Sequence, residues 1–214
     1  MLILYQGDSN SGVSGMIKPF SQACENNKTP ILDVLGDVFS TVRSVLEVGS
    51  GTGQHAVYFA QHLPHLIWQP TDLEENLKGI MLWAEEHQAL SNLKMPRLLD
   101  ITQVPWPVAP VDGIFSANTL HIMGESEVER FFEGVSYTLI AGGTLCIYGP
   151  FNYGCKFTSD SNARFNDWLY QQNPKSAIRD FEWINSLAGN AGLALINDHP
   201  MPANNRLLEW RRAA

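Results

Sequence analysis

Positively charged residues are scarce in this chain. Its 214 residues include 14 Lys and Arg against 22 Asp and Glu, which gives a formal net charge of -8. The only basic pair stands at Arg211 and Arg212. Nucleic-acid binding depends on clustered cations that neutralise phosphates. We therefore expect no nucleic-acid partner.

Cysteines and long apolar runs are also few. Cys24, Cys146 and Cys155 lack metal-ligand spacing, and an odd number argues against a disulfide framework. No stretch approaches the ~18 apolar residues of a membrane span, and Met1–Tyr5 is too short for a signal-peptide core. We expect a cytoplasmic protein without a membrane partner or a metal. Its oligomeric state is left open.

The length fits one domain that buries about 70% of its unfolded surface. Residues 1–17 are rich in glycine and serine and are interpreted as a flexible leader. Residues 18–214 are then a single domain. Residues 152–179 interrupt the regular alternation of elements with a more polar segment, which we interpret as a lid inserted at the ligand end of the sheet.

The most informative stretch is 44–53, which reads SVLEVGSGTG. Val45–Val48 is apolar apart from Glu47, which is typical of a short buried strand. Three alternating glycines follow: Gly49, Gly51 and Gly53. The apolar residues of 56–63 then recur at helical spacing. Strand, glycine loop and helix together predict a nucleotide cradle, because glycines admit a close ligand and the helix start offers unpaired N–H groups.

Two cofactors compete for this loop. Gly51-x-Gly53-x-x-Ala56 satisfies the looser dinucleotide fingerprint, which leaves an NAD-dependent oxidoreductase as an alternative. Glu47 argues against it, since a carboxylate would repel a pyrophosphate but complements the ammonium and sulfonium of S-adenosylmethionine. Glu47-x-Gly49-x-Gly51-x-Gly53 also resembles motif I of the class I methyltransferases. That resemblance implies S-adenosylmethionine as the cofactor.

Acids follow the next two predicted strands. Asp72 ends a strand over 66–71 at the spacing at which an acid meets ribose hydroxyls, although with Glu75 it would also form a capping box. Asp100-Ile101, after a strand over 95–99, resembles the methyltransferase pair that contacts adenine, with an Asx turn as the competing explanation. The predicted cofactor-binding residues are Glu47, Gly49, Ser50, Gly51, Gly53, His55, Asp72, Leu73, Asp100, Ile101 and Asn118.

The candidates for chemistry lie at the carboxyl ends of the fourth and fifth strands, predicted over 111–117 and 144–148. Asn118 and His121 should lie where methyl donor and acceptor meet, because carboxyl ends of parallel strands face the ligand crevice. His121 is a hypothetical base or orienting group, and its alternative role is to line the pocket. Tyr148 is the second catalytic candidate.

Polar residues of the lid and of the last connection are candidates for acceptor recognition. Arg179 would pair a carboxylate, or with Asp180 would only fix the lid. Trp106, among three prolines in 104–110, is expected to pack rather than bind. The predicted substrate-binding residues are Asn152, Asn162, Arg179, Asn204 and Asn205.

The elements predict an α/β fold with a doubly wound, mostly parallel seven-stranded sheet. Helices are predicted over 30–40, with Thr29 as N-cap, over 74–90 and over 125–140, with Gly142-Gly143 as the stop. Strands are expected over 193–196 and 206–210. The connection Met201–Asn205 is too short for a crossover helix, so the last strand must be antiparallel.

Several motifs resemble the family of methyltransferase-like protein 26. They are KPFS at 18–21, GTGQHA at 51–56, YGPF at 148–151, SNA at 161–163, IRD at 178–180 and MPANN at 201–205. The resemblance implies a class I methyltransferase fold, in which Ala141 replaces a common proline, and a family without a firmly assigned acceptor. We expect transfer of a methyl group by in-line displacement to a small molecule. A non-catalytic S-adenosylmethionine-binding interaction protein remains an alternative.

Overall fold

The computed structural model describes residues 18–214, so the predicted leader, residues 1–17, lies outside the described residues. Within that range the elements are α1 Gln22–Val38, β1 Ser44–Val48, α2 Gln54–His62, β2 Ile67–Asp72, α3 Glu74–Glu85, β3 Arg97–Leu98, β4 Val111–Ala117, α4 Glu125–Thr138, β5 Leu139–Gly149, β6 Phe151–Asn152, α5 Asp160–Gln172, β7 Arg179–Asp180, α6 Phe181–Asn190, β8 Leu193–Met201, a 3₁₀ turn Pro202–Asn204 and β9 Asn205–Arg212.

Seven of the strands form one sheet in the order β3-β2-β1-β4-β5-β9-β8. β9 pairs antiparallel with both β5 and β8, and the remaining ladders are parallel. The predicted fold class is confirmed, including the antiparallel last strand. The carboxyl ends of β1, β2, β4 and β5 consequently meet at one edge. β6 and β7 form a separate parallel ribbon just beyond β5.

Among residues 18–214 the core consists of two hydrophobic clusters, one on each face of the sheet. Neighbouring residues of β4 contribute to different clusters, Ile114 to one and Phe115 to the other, because side chains alternate along a strand. Each large side chain buried in this way contributes roughly 1.5–3 kcal/mol. Trp106 is buried against Phe131, and a Cβ at Gly134 would lie 2.0 Å from its ring, so its packing role is confirmed.

The start of α1 corrects the sequence interpretation. Ser21, not Thr29, is the N-cap, and its side chain accepts a hydrogen bond from the Cys24 amide. Pro30 lies inside the helix, where it removes one backbone donor. The helix tolerates this because Asn27, Ile31 and Leu35 recur at helical spacing and bury one face. The polar residues 25–28 are thus helical rather than a connection.

Several other helices and strands end at residues different from those predicted. The helix predicted to Leu90 ends at Glu85, and the one predicted to Ile140 ends at Thr138. Gly142 and Gly143 lie inside β5, where they accompany a register shift against β4 instead of stopping a helix. The strand predicted over 193–196 extends to Met201, because β9 supplies a partner along its whole length. The fourth strand has its predicted bounds.

Candidate functional site

The glycine loop between β1 and α2 leaves no room for a side chain at two of its glycines. Gly49 has φ +77°, and a Cβ there would lie 2.5 Å from Cγ2 of Thr119. A Cβ at Gly53, with φ +91°, would lie 2.9 Å from the Cα of Ile80 in α3. The amides of Gly49 and Ser50 both donate to the Thr71 carbonyl at 3.0 Å. The loop therefore has a defined conformation that only glycine permits at these positions.

Glu47 lies in β1 behind this loop and is 1% exposed. Its Oε2 accepts a hydrogen bond from Nε1 of Trp68 at 3.0 Å, and its carbonyl accepts one from the Thr71 hydroxyl. Burial raises the pKa of Glu47 from 4.5 to about 7, and the nearby charge of Asp72 acts in the same direction. Near neutral pH this side chain is thus poised between its acid and its carboxylate.

Asp72 connects the loop to α3. Its Oδ2 accepts from the Gly51 amide at 2.7 Å, and its Oδ1 accepts from the Leu73 amide at 2.7 Å and from Nδ2 of Asn76 at 2.8 Å. Burial raises the pKa of Asp72, and these three donors oppose the rise. The capping-box alternative is wrong, since Leu73 is the N-cap of α3 and carries no side-chain cap bond.

Asp100 follows β3 and forms the Asx turn that was the alternative to its predicted adenine contact, and the adenine contact stays a prediction. Its Oδ1 accepts from the amide and hydroxyl of Thr102 at 3.0 and 2.7 Å, and its Oδ2 accepts from Nε2 of Gln103 at 3.1 Å. These donors lower the pKa of Asp100. The side chain of Ile101 packs at the margin of the core, and its carbonyl accepts from Nε1 of Trp106.

Asn118 and His121 come together beyond β4. A Cβ built at Gly149, the last residue of β5, would lie 3.7 Å from Nδ1 of His121 and 4.0 Å from Oδ1 of Asn118. Asn118 adopts φ +58°, and its amide donates to the Tyr148 carbonyl. Burial lowers the pKa of His121 to about 3, and the positive charge of Arg179 adds to this. His121 is accordingly neutral at physiological pH.

His55 and Tyr148 belong to a buried polar cluster under α1. Nε2 of His55 lies 2.7 Å from Oδ1 of Asn27, and its ring stacks on Phe59. Burial lowers the pKa of His55 to about 4. Burial raises the pKa of the Tyr148 hydroxyl, and the side chains of Asn27 and Asn205 oppose the rise. His55 therefore connects α2, to which it belongs, with Asn27 of α1.

Sequence reasoning missed two members of this region. The sequence alone assigned no role in the site to Asn27 or to Gln54. Gln54 exchanges hydrogen bonds with the backbone of Ser21 and donates to Oε1 of Glu25 at 2.7 Å. The available signal was the helical spacing of Asn27 with Ile31, which would have extended α1 backwards through the proline.

The segment 152–179 contains α5 and is fastened to the turn before β9. Nδ2 of Asn162 lies 2.9 Å from the Thr158 hydroxyl and 3.4 Å from the Asn204 carbonyl. Asn204 and Asn205 border a cavity of about 460 Å³ between this segment and the end of β8. A cavity of that volume suits a small molecule.

Arg179 is occupied by backbone carbonyls. Its guanidinium donates to the carbonyl of Lys175 at 2.7 Å, of Leu120 at 3.4 Å and of Met123, and Oε1 of Glu125 lies 3.7 Å away. These contacts agree with the alternative role of Arg179, in which it fixes the segment 152–179. Its pairing with a substrate carboxylate stays a prediction. Asn152, 9% exposed, donates through Nδ2 to the Ile178 carbonyl at 3.3 Å.

Neither a cluster of metal ligands nor a helix that could span a membrane occurs among the described residues. No group of three or more His, Cys, Asp or Glu side chains is placed to hold a metal ion in residues 18–214. Over the same range, no helix has the length and apolar character needed to cross a membrane.

The fold resembles that of solved O-methyltransferase structures. An O-methyltransferase family protein from Burkholderia thailandensis is 19% identical with a TM-score of 0.77, over 87% of this chain and 56% of that chain. An O-methyltransferase family 2 protein from Planctomyces limnophilus, in complex with apigenin, is 20% identical with a TM-score of 0.77, over 89% of this chain and 58% of that one.

A third similar structure contains a bound cofactor. NcsB1, an O-methyltransferase from neocarzinostatin biosynthesis, is in complex with S-adenosylmethionine and 2-hydroxy-5-methyl naphthoic acid. It is 16% identical with a TM-score of 0.74, over 90% of this chain and 55% of that chain. This chain therefore spans little more than half the length of these proteins, and the likeness at such low identity concerns the fold.

The broader of the two sequence resemblances is thus confirmed for the fold, whereas the resemblance to methyltransferase-like protein 26 stays a prediction. A family model described as a protein of unknown function, DUF938, matches residues 18–212. This match includes nearly all of the described residues. The chain belongs to the DUF938 family.

Proposed function

We propose that this protein is an S-adenosylmethionine-dependent methyltransferase that acts on a small molecule. The observation that carries the proposal is the contact between the Asp72 carboxylate and the Gly51 amide, at 2.7 Å. It places an acid against a glycine loop at the carboxyl edge of the sheet. This arrangement occurs in a fold shared with a protein whose structure contains S-adenosylmethionine.

The charges around the loop favour this cofactor over a dinucleotide. Two buried acids, Glu47 and Asp72, adjoin the loop, and residues 44–77 contain neither lysine nor arginine. The two acids would repel a pyrophosphate, whereas they would stabilise a ligand with an ammonium and a sulfonium. When bound, S-adenosylmethionine supplies an electrophilic methyl group.

The remaining cofactor contacts are proposed from position. Asp72 would accept from ribose hydroxyls, Asp100 from the adenine amino group, and the N–H groups of the loop would hold a carboxylate. Asp72 has three donors in place, so ribose hydroxyls would compete with the Gly51 amide for Oδ2. We expect a small rearrangement of the loop when the cofactor binds.

The proposed catalytic contribution of the chain is mainly positioning. Holding two reactants in line can supply roughly 7–11 kcal/mol. A histidine with a pKa of about 3 is a weak base, so we assign His121 the role of a neutral hydrogen-bond acceptor that orients the substrate. Tyr148, buried beneath α1, is proposed to stabilise that region through Asn27 and Asn205.

A thermal-shift experiment with S-adenosylmethionine, S-adenosylhomocysteine and NAD tests the cofactor. A ligand at 100 times its Kd stabilises by about 2.7 kcal/mol, which in a domain of this size raises Tm by about 5–11 °C. We expect this shift with the first two ligands, a smaller one in Asp72→Asn, and an unchanged one in the matched control Glu85→Gln at the far end of α3. A shift with NAD alone would overturn the proposal.

The small-molecule acceptor needs a separate measurement. Protein incubated with a metabolite extract and S-adenosylmethionine carrying a deuterated methyl group should yield a labelled product by mass spectrometry. Absence of any labelled product, with cofactor binding intact, would favour the non-catalytic interaction protein.

A further inference from the structure

Two buried oxygens on the β6–β7 ribbon have no hydrogen-bond donor among the described residues. They are Oδ1 of Asn152 and Oδ1 of Asp180, called the oxygen pair below. Buried acceptors are nearly always hydrogen-bonded, and a carboxylate oxygen is the more costly one to leave unpaired. The orientation of the Asn152 amide is fixed, because its Nδ2 donates to the Ile178 carbonyl.

The two oxygens belong to the same side of the ribbon. Asn152 and Asp180 are register partners in the parallel β6–β7 ladder, and partners in register project to the same side. Phe151 and Arg179, the other register pair, project to the opposite side. There Phe151 joins the core, and Arg179 donates to the carbonyls of Leu120 and Lys175.

The surroundings of the oxygen pair are acidic. The Gly154 amide donates to Oε1 of Glu182 at 3.0 Å, which places a second carboxylate at the loop that follows β6. Asp180 raises the pKa of the exposed Cys155 thiol most strongly, and the charge of Glu182 acts in the same direction. The guanidinium of Arg179 donates to backbone carbonyls on the other side of the ribbon. The local field therefore favours a cation.

The ribbon lies at the ligand edge of the sheet. Asn152 is only three residues beyond Gly149, around which Asn118 and His121 converge. His121 is neutral and offers a further acceptor at the same edge. The end of β5 is thus bordered, in the described part of the chain, by Oδ1 of Asn118 and by a neutral imidazole with one acceptor nitrogen.

We propose that the oxygen pair binds the amine of the methyl-acceptor substrate, so that the substrate is an amine rather than a carboxylic acid. A primary ammonium has three N–H donors on one nitrogen, enough to serve both oxygens and a third acceptor. A charge-assisted bond to Asp180 would supply most of the affinity. The inference rests on the proposed function only in identifying the amine with the methyl-acceptor molecule.

The test is an NMR titration of the isotope-labelled full chain saturated with S-adenosylhomocysteine. The probe is ethylammonium chloride, compared at equal ionic strength with tetramethylammonium chloride, a cation without an N–H group. The side-chain amide of Asn152 is the reporter, because its oxygen belongs to the pair. We expect saturable shifts of this amide with ethylammonium and none with tetramethylammonium.

Two variants sharpen the test. Asp180→Asn should weaken ethylammonium binding at least about tenfold, since it removes a charge-assisted bond. Asp167→Asn, with the same charge change on the exposed part of α5, should leave the affinity unchanged. The tetramethylammonium comparison in the wild-type protein remains decisive if Asp180→Asn fails to fold.

The inference is overturned by equal shifts with both cations, by no saturable shift, or by a slowly exchanging water at Asn152 that persists at saturating ethylammonium. Such a water would itself satisfy the oxygens. Failure of the proposed function is a different result. It would appear as absent stabilisation by S-adenosylhomocysteine in the same samples, whether or not ethylammonium binds.

Discussion

Replacing Glu47 by glutamine removes a buried acid whose protonation is coupled to folding. Burial raises the pKa of Glu47 to about 7 in the folded protein, from 4.5 for an unperturbed glutamate. Between these two values the folded chain binds more protons than the unfolded chain. The contribution of Glu47 to the free energy of unfolding must therefore fall as the pH rises through this window, and become constant above it.

The size of the effect follows from the two pKa values. One pKa unit corresponds to about 1.4 kcal/mol, so ionisation of Glu47 costs the folded state about 3 kcal/mol at pH 8 relative to pH 4.5. About 2 kcal/mol of this loss falls between pH 5.5 and 8. Glutamine cannot ionise, and its amide oxygen can still accept from Nε1 of Trp68. The variant should therefore gain stability relative to the wild type by these amounts as the pH rises.

Urea unfolding followed by circular dichroism, at several pH values from 5.5 to 8, measures this difference. Other titrating groups are common to both proteins, so they cancel on subtraction unless they are coupled to Glu47. Glu129→Gln, an exposed position of α4, is the matched control and should give a constant difference. A Glu47→Gln difference that changes by less than about 0.5 kcal/mol over this range would refute the reasoning, because the predicted change is about 2 kcal/mol.

Three further outcomes are expected. Gly49→Ala should lower the free energy of unfolding by at least about 2 kcal/mol, because Gly49 has a positive φ and its Cβ would clash with Thr119. The control Gly36→Ala in α1, where nothing lies within 4 Å of the added Cβ, should be neutral or stabilising. Equal urea midpoints for the two variants would contradict this. The pKa of His55 is about 4 in the folded protein and 6.5 for an unperturbed histidine. The free energy of unfolding should therefore fall by about 3 kcal/mol as the pH falls from 6.5 to 4, because the unfolded chain binds the proton first. In His55→Gln that slope should flatten by the same amount, and an unchanged slope in acid unfolding would be inconsistent with a buried neutral ring. Arg179→Lys should lower the free energy of unfolding by about 2 kcal/mol or more, since one ammonium cannot replace a guanidinium that donates to three carbonyls. Unchanged stability together with a raised KM for the acceptor would instead indicate substrate recognition.

The local features of the site could be predicted from the sequence. The strand over 111–117 and the glycine loop at 44–53 are marked by short-range signals, an apolar run and residues that permit positive φ. The apolar runs that predict the second and fourth strands also predict that Asp72 and Asn118 lie at their ends. Because the carboxyl ends of parallel strands lie at one edge of a sheet, both residues could be predicted at that edge without knowledge of side-chain packing.

Long-range partners could not be predicted. The donors of Arg179 are taken by the carbonyl of Leu120, 59 residues earlier, and His55 is paired with Asn27, 28 residues earlier. Neither pairing leaves a periodic signal. The start of α1 failed differently, because the local preference for proline at a helix start outweighed the apolar spacing that continues through Pro30. Tertiary burial decided that boundary.

The position of β9 has a consequence for the order in which the sheet can form during synthesis. β9 is made last among the seven strands, yet it lies between β5 and β8 and supplies the ladder that joins them. While the ribosome is still making residues 205–212, β8 has no neighbour in the sheet and β5 has an open side. A nascent chain therefore exposes an unpaired β8 and an open edge of β5 until residues 205–212 have left the ribosome, which makes this interval the one in which a chaperone would be most useful.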